Sequence, residues 1–177
     1  MRPSGGCIAA FLVVAHTVAA AAPAADPWFV AGEDGGGVAA WKPLDGSGAV
    51  ETSDEKTPDG RPALRFPCDM ARVVQRAYWD RDGKPNLVGA SAIALWVRAS
   101  GDPAAVASGT LYLRARGGWY GAPLDVGFDG WSRVTIRRSD FVPEGAPAGW
   151  GTVEGVRVAF WKGSDRRASV LLGGLDA

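Results

Sequence analysis

Thr110-Leu111-Tyr112-Leu113-Arg114-Ala115-Arg116-Gly117-Gly118-Trp119-Tyr120-Gly121-Ala122-Pro123-Leu124-Asp125-Val126 alternates apolar and polar side chains up to a glycine pair and then turns aromatic. Successive side chains on a strand face opposite sides, so this period of two reads as a half-buried strand. Two glycines tolerate the positive φ of a tight connection, which makes the stretch a hairpin, Thr110 to Arg116 and Trp119 to Val126.

The same signal recurs in both directions. Upstream, Leu64-Arg65-Phe66, Val73 to Tyr78 and Ala92 to Arg98 read as strands; in the last, Ile93, Leu95 and Val97 share one face and Trp96 and Arg98 the other. Downstream come Trp131 to Arg137, Gly155 to Trp161 and Ala168 to Leu175, with Val156, Val158 and Phe160 alternating with Arg157, Ala159 and Trp161. Gly (25) and Pro (12) punctuate the chain too often for long helices. The expectation is an all-β domain, a two-sheet β-sandwich of about eight strands. Asp26 to Thr57 and Pro143 to Gly149 read as irregular.

The N-terminus has a different character. Arg2 precedes an almost wholly apolar run from Cys7 to Ala22, followed by small residues at Ala22-Pro23-Ala24. That is the layout of a secretory signal peptide, residues 1–25, and it is short for a membrane span. The expectation is a secreted or periplasmic product, residues 26–177, forming one domain. Cleavage would remove His16, the sole histidine, and Cys7, one of two cysteines. Without histidine there is no Ser-His-Asp or Cys-His pair and no histidine-bound zinc. Cys68 alone cannot form an intrachain disulfide, and its setting, Leu64-Arg65-Phe66-Pro67-Cys68, fits a small buried side chain. The 19 basic and 19 acidic residues balance. No block of like charge points to nucleic acid.

From about Gly60 to Leu175 the chain resembles the jelly-roll domains of the galactose-binding-like group, a fold shared by carbohydrate-binding modules and accessory domains of bacterial glycoside hydrolases. The resemblance lies in Arg61-Pro62-Ala63-Leu64-Arg65-Phe66, Arg76-Ala77-Tyr78-Trp79-Asp80, Leu111-Tyr112-Leu113 through Gly118-Trp119-Tyr120, and Gly130-Trp131-Ser132-Arg133-Val134. It continues in Pro147-Ala148-Gly149-Trp150, Val153-Glu154-Gly155-Val156-Arg157-Val158 and Phe160-Trp161-Lys162-Gly163. It implies a jelly roll and a non-catalytic module that binds an oligo- or polysaccharide, with ligand on a sheet face or at the loops of one edge.

Aromatic rings stack on the apolar faces of sugars, and arginine hydrogen-bonds hydroxyls. On alternation Tyr112, Arg114 and Arg116 share a face, as do Arg157 and Trp161, which as the open face of a sheet would carry two rings and three guanidinium groups; Trp119 and Tyr120 follow the glycine pair, and one of these two belongs to the core. The candidate ligand-binding residues are therefore Tyr112, Arg114, Arg116, Trp119, Tyr120, Arg157 and Trp161. Core packing is the alternative for each tryptophan, and solvated ion pairing for each arginine. Asp80-Arg81-Asp82-Gly83-Lys84-Pro85-Asn86 offers oxygen ligands around a glycine but lacks the spacing of the twelve-residue calcium loop, so it reads as a plain turn. No catalytic residue, metal or cofactor is assigned. Two other functions stay open: a structural or accessory domain packing against a protein partner or catalytic domain without touching sugar, and a glycoside hydrolase, which needs only two carboxylates among candidates such as Asp80, Asp125, Asp129 and Glu154.

Overall fold

The computed structural model describes residues 37–177; the signal-peptide expectation for residues 1–25 lies outside them. Eleven strands follow one another: β1 (Trp41–Leu44), β2 (Glu51–Lys56), β3 (Pro62–Asp69), β4 (Arg76–Asp82), β5 (Ala92–Gly101), β6 (Val106–Ala115), β7 (Gly118–Leu124), β8 (Ser132–Arg137), β9 (Val142–Gly145), β10 (Val153–Lys162) and β11 (Arg167–Asp176). They form a six-stranded sheet, β1-β4-β10-β6-β7-β9, and a five-stranded sheet, β2-β3-β11-β5-β8. Every pairing is antiparallel. The helical segments among the described residues are 3-10 turns of three residues. The all-β two-sheet sandwich is as the alternation implied, with more strands: β1, β2 and β9 run through stretches that read as irregular. Asp80 to Asp82, read as part of a turn, ends β4.

Only β2–β3 and β6–β7 join sequence neighbours within the described sheets. Apart from β9 to β10, which stays in the six-stranded sheet without pairing, the other connections cross between layers; β10 lies between β4 and β6, and β11 between β3 and β5. The inner faces meet in an aromatic core. Phe66 of β3 stands edge-on to Trp41 of β1 (ring centroids 5.0 Å apart) and to Trp79 of β4 (5.3 Å), and lies 6.4 Å from Phe160 of β10. One side chain of the five-stranded sheet thus contacts three strands of the other. The Trp79 indole N–H donates to the Gly48 carbonyl at 2.7 Å, which satisfies the one polar atom of a ring buried completely. Cys68 sits in the same core; burial pushes its thiol up to about 12.

The β6–β7 turn uses its glycines differently. Gly117 takes the positive φ of 86°. Gly118 already pairs with Ala115 and is small for another reason: a Cβ there would stand 2.3 Å from the Glu144 carbonyl oxygen of β9.

Candidate functional site

Residues directly opposite across antiparallel strands share a face, so the registers of β4, β10, β6 and β7 lay out the outer surface of the six-stranded sheet as rows. Asp80, Arg157, Tyr112 and Gly121 form one row. Beside it run Asp82, Gly155, Arg114 and Trp119 on one side, and Tyr78, Ala159, Thr110 and Pro123 on the other. Arg76 and Trp161 begin a further row that ends at Ser108.

Large side chains stand next to small ones, and the small ones let them lie down. A Cβ on Gly121 would meet the Tyr112 ring at 2.9 Å, and one on Gly155 would meet the Arg114 guanidinium at 3.1 Å. Tyr112 and Arg114 therefore fold over glycine floors. Trp119 stands edge-on to Tyr112 with centroids 6.2 Å apart.

Rings and guanidinium groups alternate across this face. Arg76 lies 4.8 Å from the ring centroids of both Trp161 and Tyr78. Arg157 lies 4.8 Å from Tyr78 and 4.5 Å from Trp119, and Arg114 sits 6.0 Å from Trp119. The order Trp161, Arg76, Tyr78, Arg157, Trp119 is thus a stacked series in which each cation faces π-electron density. The Trp161 indole donates to the Thr110 hydroxyl at 2.9 Å, which fixes the ring's rotation at the end of the series.

Carboxylates fix the cations from the side. Arg157 donates to both oxygens of Asp80, at 2.6 and 2.8 Å, a bidentate pair with side chains about one-fifth exposed. Asp80 holds the Arg157 guanidinium above its ordinary pKa against the opposing effect of burial. Asp82 accepts from Lys42 at 2.6 Å and from Arg114 at 2.7 Å, and these two cations hold its carboxyl below the usual range. The Tyr78 hydroxyl donates to Asp45, whose carboxylate raises the phenol's pKa. The face can offer hydroxyl-rich ligands half-buried rings, fixed N–H donors and carboxylate acceptors.

Of the residues singled out in the sequence, Tyr112, Arg114, Trp119, Arg157 and Trp161 meet on this face. Tyr120 does not: it alternates inward, its ring 6.2 Å from Trp150 and its hydroxyl donating to the Pro147 carbonyl at 3.3 Å. Arg116 lies past the end of β6, in the turn, where it borders a depression of about 380 Å³ with Lys84, Asn86 and Glu154. The face also contains Arg76, Tyr78 and Asp80, none of them among the ligand-binding candidates. Their alternation is visible in Arg76-Ala77-Tyr78-Trp79-Asp80; that β4 lies against β10 is not.

Carboxylates considered for hydrolysis are engaged or scattered. Asp80 binds Arg157, and Glu154 lies 3.7 Å from Arg114. Asp125 borders an apolar depression of about 520 Å³ elsewhere, formed by residues such as Leu124, Val126, Val134 and Ile136. Among the described residues no group of three or more His, Cys, Asp or Glu is arranged to hold a metal ion, and no helix is long and apolar enough to cross a membrane.

No protein-family model matches the chain, and no curated protein is similar to it in sequence. Solved structures are similar in fold. A carbohydrate-binding module from a study of promiscuous specificity in the β-sandwich superfamily aligns with a TM-score of 0.58 at 14% identity, over 84% of this chain and 60% of that one. The family 11 carbohydrate-binding module of Clostridium thermocellum, in complex with a β-1,3-1,4-mixed-linked tetrasaccharide, aligns with a TM-score of 0.52 at 12% identity over 81% of this chain and 91% of the module. An exo-β-agarase aligns with a TM-score of 0.55 at 10% identity, this chain matching 23% of the enzyme's length. The chain therefore has the two-sheet β-sandwich fold of carbohydrate-binding modules.

Proposed function

We propose that this chain is a non-catalytic carbohydrate-binding module whose ligand lies on the outer face of the six-stranded sheet. One observation carries the reading: four rings, Tyr78, Tyr112, Trp119 and Trp161, stay half-buried on an outward face, interleaved with arginines, while Trp41, Trp79 and Trp150 supply the core. Leaving that much ring area at the surface is unfavourable unless something covers it. Sugars match the pattern, because their C–H faces stack on rings while their hydroxyls take hydrogen bonds from guanidinium groups and give them to carboxylates. Residues 1–25, read as a signal peptide, agree with a glycan met outside the cytoplasm.

The similarity of the chain to a portion of an exo-β-agarase favours a second reading, an accessory domain that packs against a catalytic partner. The two differ in what Trp119 does. Titration with a panel of soluble polysaccharides, followed by tryptophan fluorescence and affinity electrophoresis, should show saturable binding. Trp119→Ala should weaken it at least about tenfold with the thermal midpoint little changed. Absence of binding across the panel would sink the glycan reading and leave the accessory one.

A further inference from the structure

Building on the glycan-binding reading, we propose that the sugar recognised is acidic, its carboxylate or sulfate group held by Arg76 with Arg72 and Gln75 alongside. Four cations stand on the outer face, and three of them are paired with carboxylates: Lys42 with Asp82, Arg114 with Asp82 and Glu154, and Arg157 with Asp80. Arg76 differs. Among the described residues it has no carboxylate partner, and its contacts are the two rings on either side of it, Trp161 and Tyr78, each at 4.8 Å. Stacking between rings fixes the plane of the guanidinium and leaves its N–H edge available.

Arg76 borders a groove of about 490 Å³ together with Arg72, Val74, Gln75, Tyr78 and Asp45. Arg72 closes the 3-10 turn Met70–Arg72 and also has no ion pair among the described residues. The one carboxylate of the groove, Asp45, already accepts from the Tyr78 hydroxyl. Val74, 90% exposed, adds an apolar wall. Two guanidinium groups, an amide and a single engaged carboxylate leave the groove with net positive charge. A planar guanidinium fork binds a carboxylate or a sulfate ester with two parallel hydrogen bonds. Because the same arginine belongs to the ring series, an anion bound there would anchor a sugar chain running along the strands. The six residue steps from Arg76 to Asp82 give such a chain about 20 Å of platform.

The test compares matched polymers on the full chain: polygalacturonate against its methyl ester, and a sulfated galactan against its desulfated form. The charged member of at least one pair should bind at least tenfold more tightly, with affinity falling as salt is raised; which pair responds distinguishes carboxylate from sulfate. The exposed Arg72→Gln, outside the ring series, should reduce that preference while leaving binding of the neutral polymer unchanged; Arg76→Gln should abolish the preference and, because Arg76 belongs to the platform, also weaken the neutral polymer, by a smaller factor than the charged one. Arg76→Lys, which keeps the charge and loses the fork, should fall between. Equal binding of charged and neutral members, or a preference untouched by both glutamine variants, overturns the acidic assignment while sugar binding stands. No binding to any of the four overturns both.

Discussion

Gly121 shows how much of the outer face depends on the absence of a side chain. The Tyr112 ring occupies the space where a Cβ would be, with two ring carbons at 2.9 and 3.1 Å from it. Since Tyr112 is edge-on to Trp119, and Trp119 faces Arg157, one methyl group would be felt along the series. Gly121→Ala should cost about 1 kcal/mol or more of stability by overpacking, and it should reduce glycan affinity further than stability, because the ring must rotate off the sheet. Paired chemical denaturation and binding titrations check this; unchanged affinity would mean that Tyr112 is not part of the platform. Cys68 is the opposite kind of residue. Its buried, protonated thiol is unreactive at neutral pH, so it serves the core.

The edge strands explain which elements were hard to read. Antiparallel edges expose unpaired backbone groups, and proteins blunt them with proline, charge and short length. Here β1 is Trp-Lys-Pro-Leu, β9 is Val-Pro-Glu-Gly, and β2 is Glu-Thr-Ser-Asp-Glu-Lys. Those are the residues that make a stretch look irregular, so in these three edges the protection erases the alternating signal; the fourth edge, β8, carries neither proline nor glycine and stayed legible. β1 nevertheless holds an inward anchor, since Trp41 is 3% exposed and edge-on to Phe66. Trp41→Ala should lower stability by about 3–5 kcal/mol. Hydrogen exchange should then show the β1 and neighbouring β4 amides opening ahead of those of the central β10; uniform loss of protection would mean that the edge does not open separately.

At the scale of the whole molecule, a second ionic network ties the five-stranded sheet together. Arg61, just before β3, donates to Asp59 and to Asp176 at the end of β11, and Arg133 of β8 also reaches Asp176. Arg61 holds both carboxyls below their ordinary value. A carboxyl with a depressed pKa in the folded state contributes stability that is complete above its unfolded value and is lost as pH falls through the folded one. The fold should therefore weaken on acidification from about pH 4 downward. Arg61→Gln should lower the midpoint at pH 7 and flatten this acid dependence; parallel pH dependences for the two proteins would refute the assignment. The groups are roughly one-quarter to one-third exposed, so the effect is screened by solvent and should be modest.

The amino-acid sequence by itself determined the strand class, the inward and outward faces of β5, β6 and β10, the β6–β7 hairpin and the buried setting of Cys68. Each follows from the period of two or from turn chemistry, which are properties of neighbouring residues. Tertiary structure decided which outward faces meet. Arg157 lies between Asp80, 77 positions away in the chain, and Tyr112 because β10 inserts between β4 and β6. That insertion lets Phe66 of one sheet bury itself against Trp41, Trp79 and Phe160 of the other. Strand order is set by closing both inner faces around one core, a condition on the whole chain, and the ring and guanidinium series on the outside is its consequence.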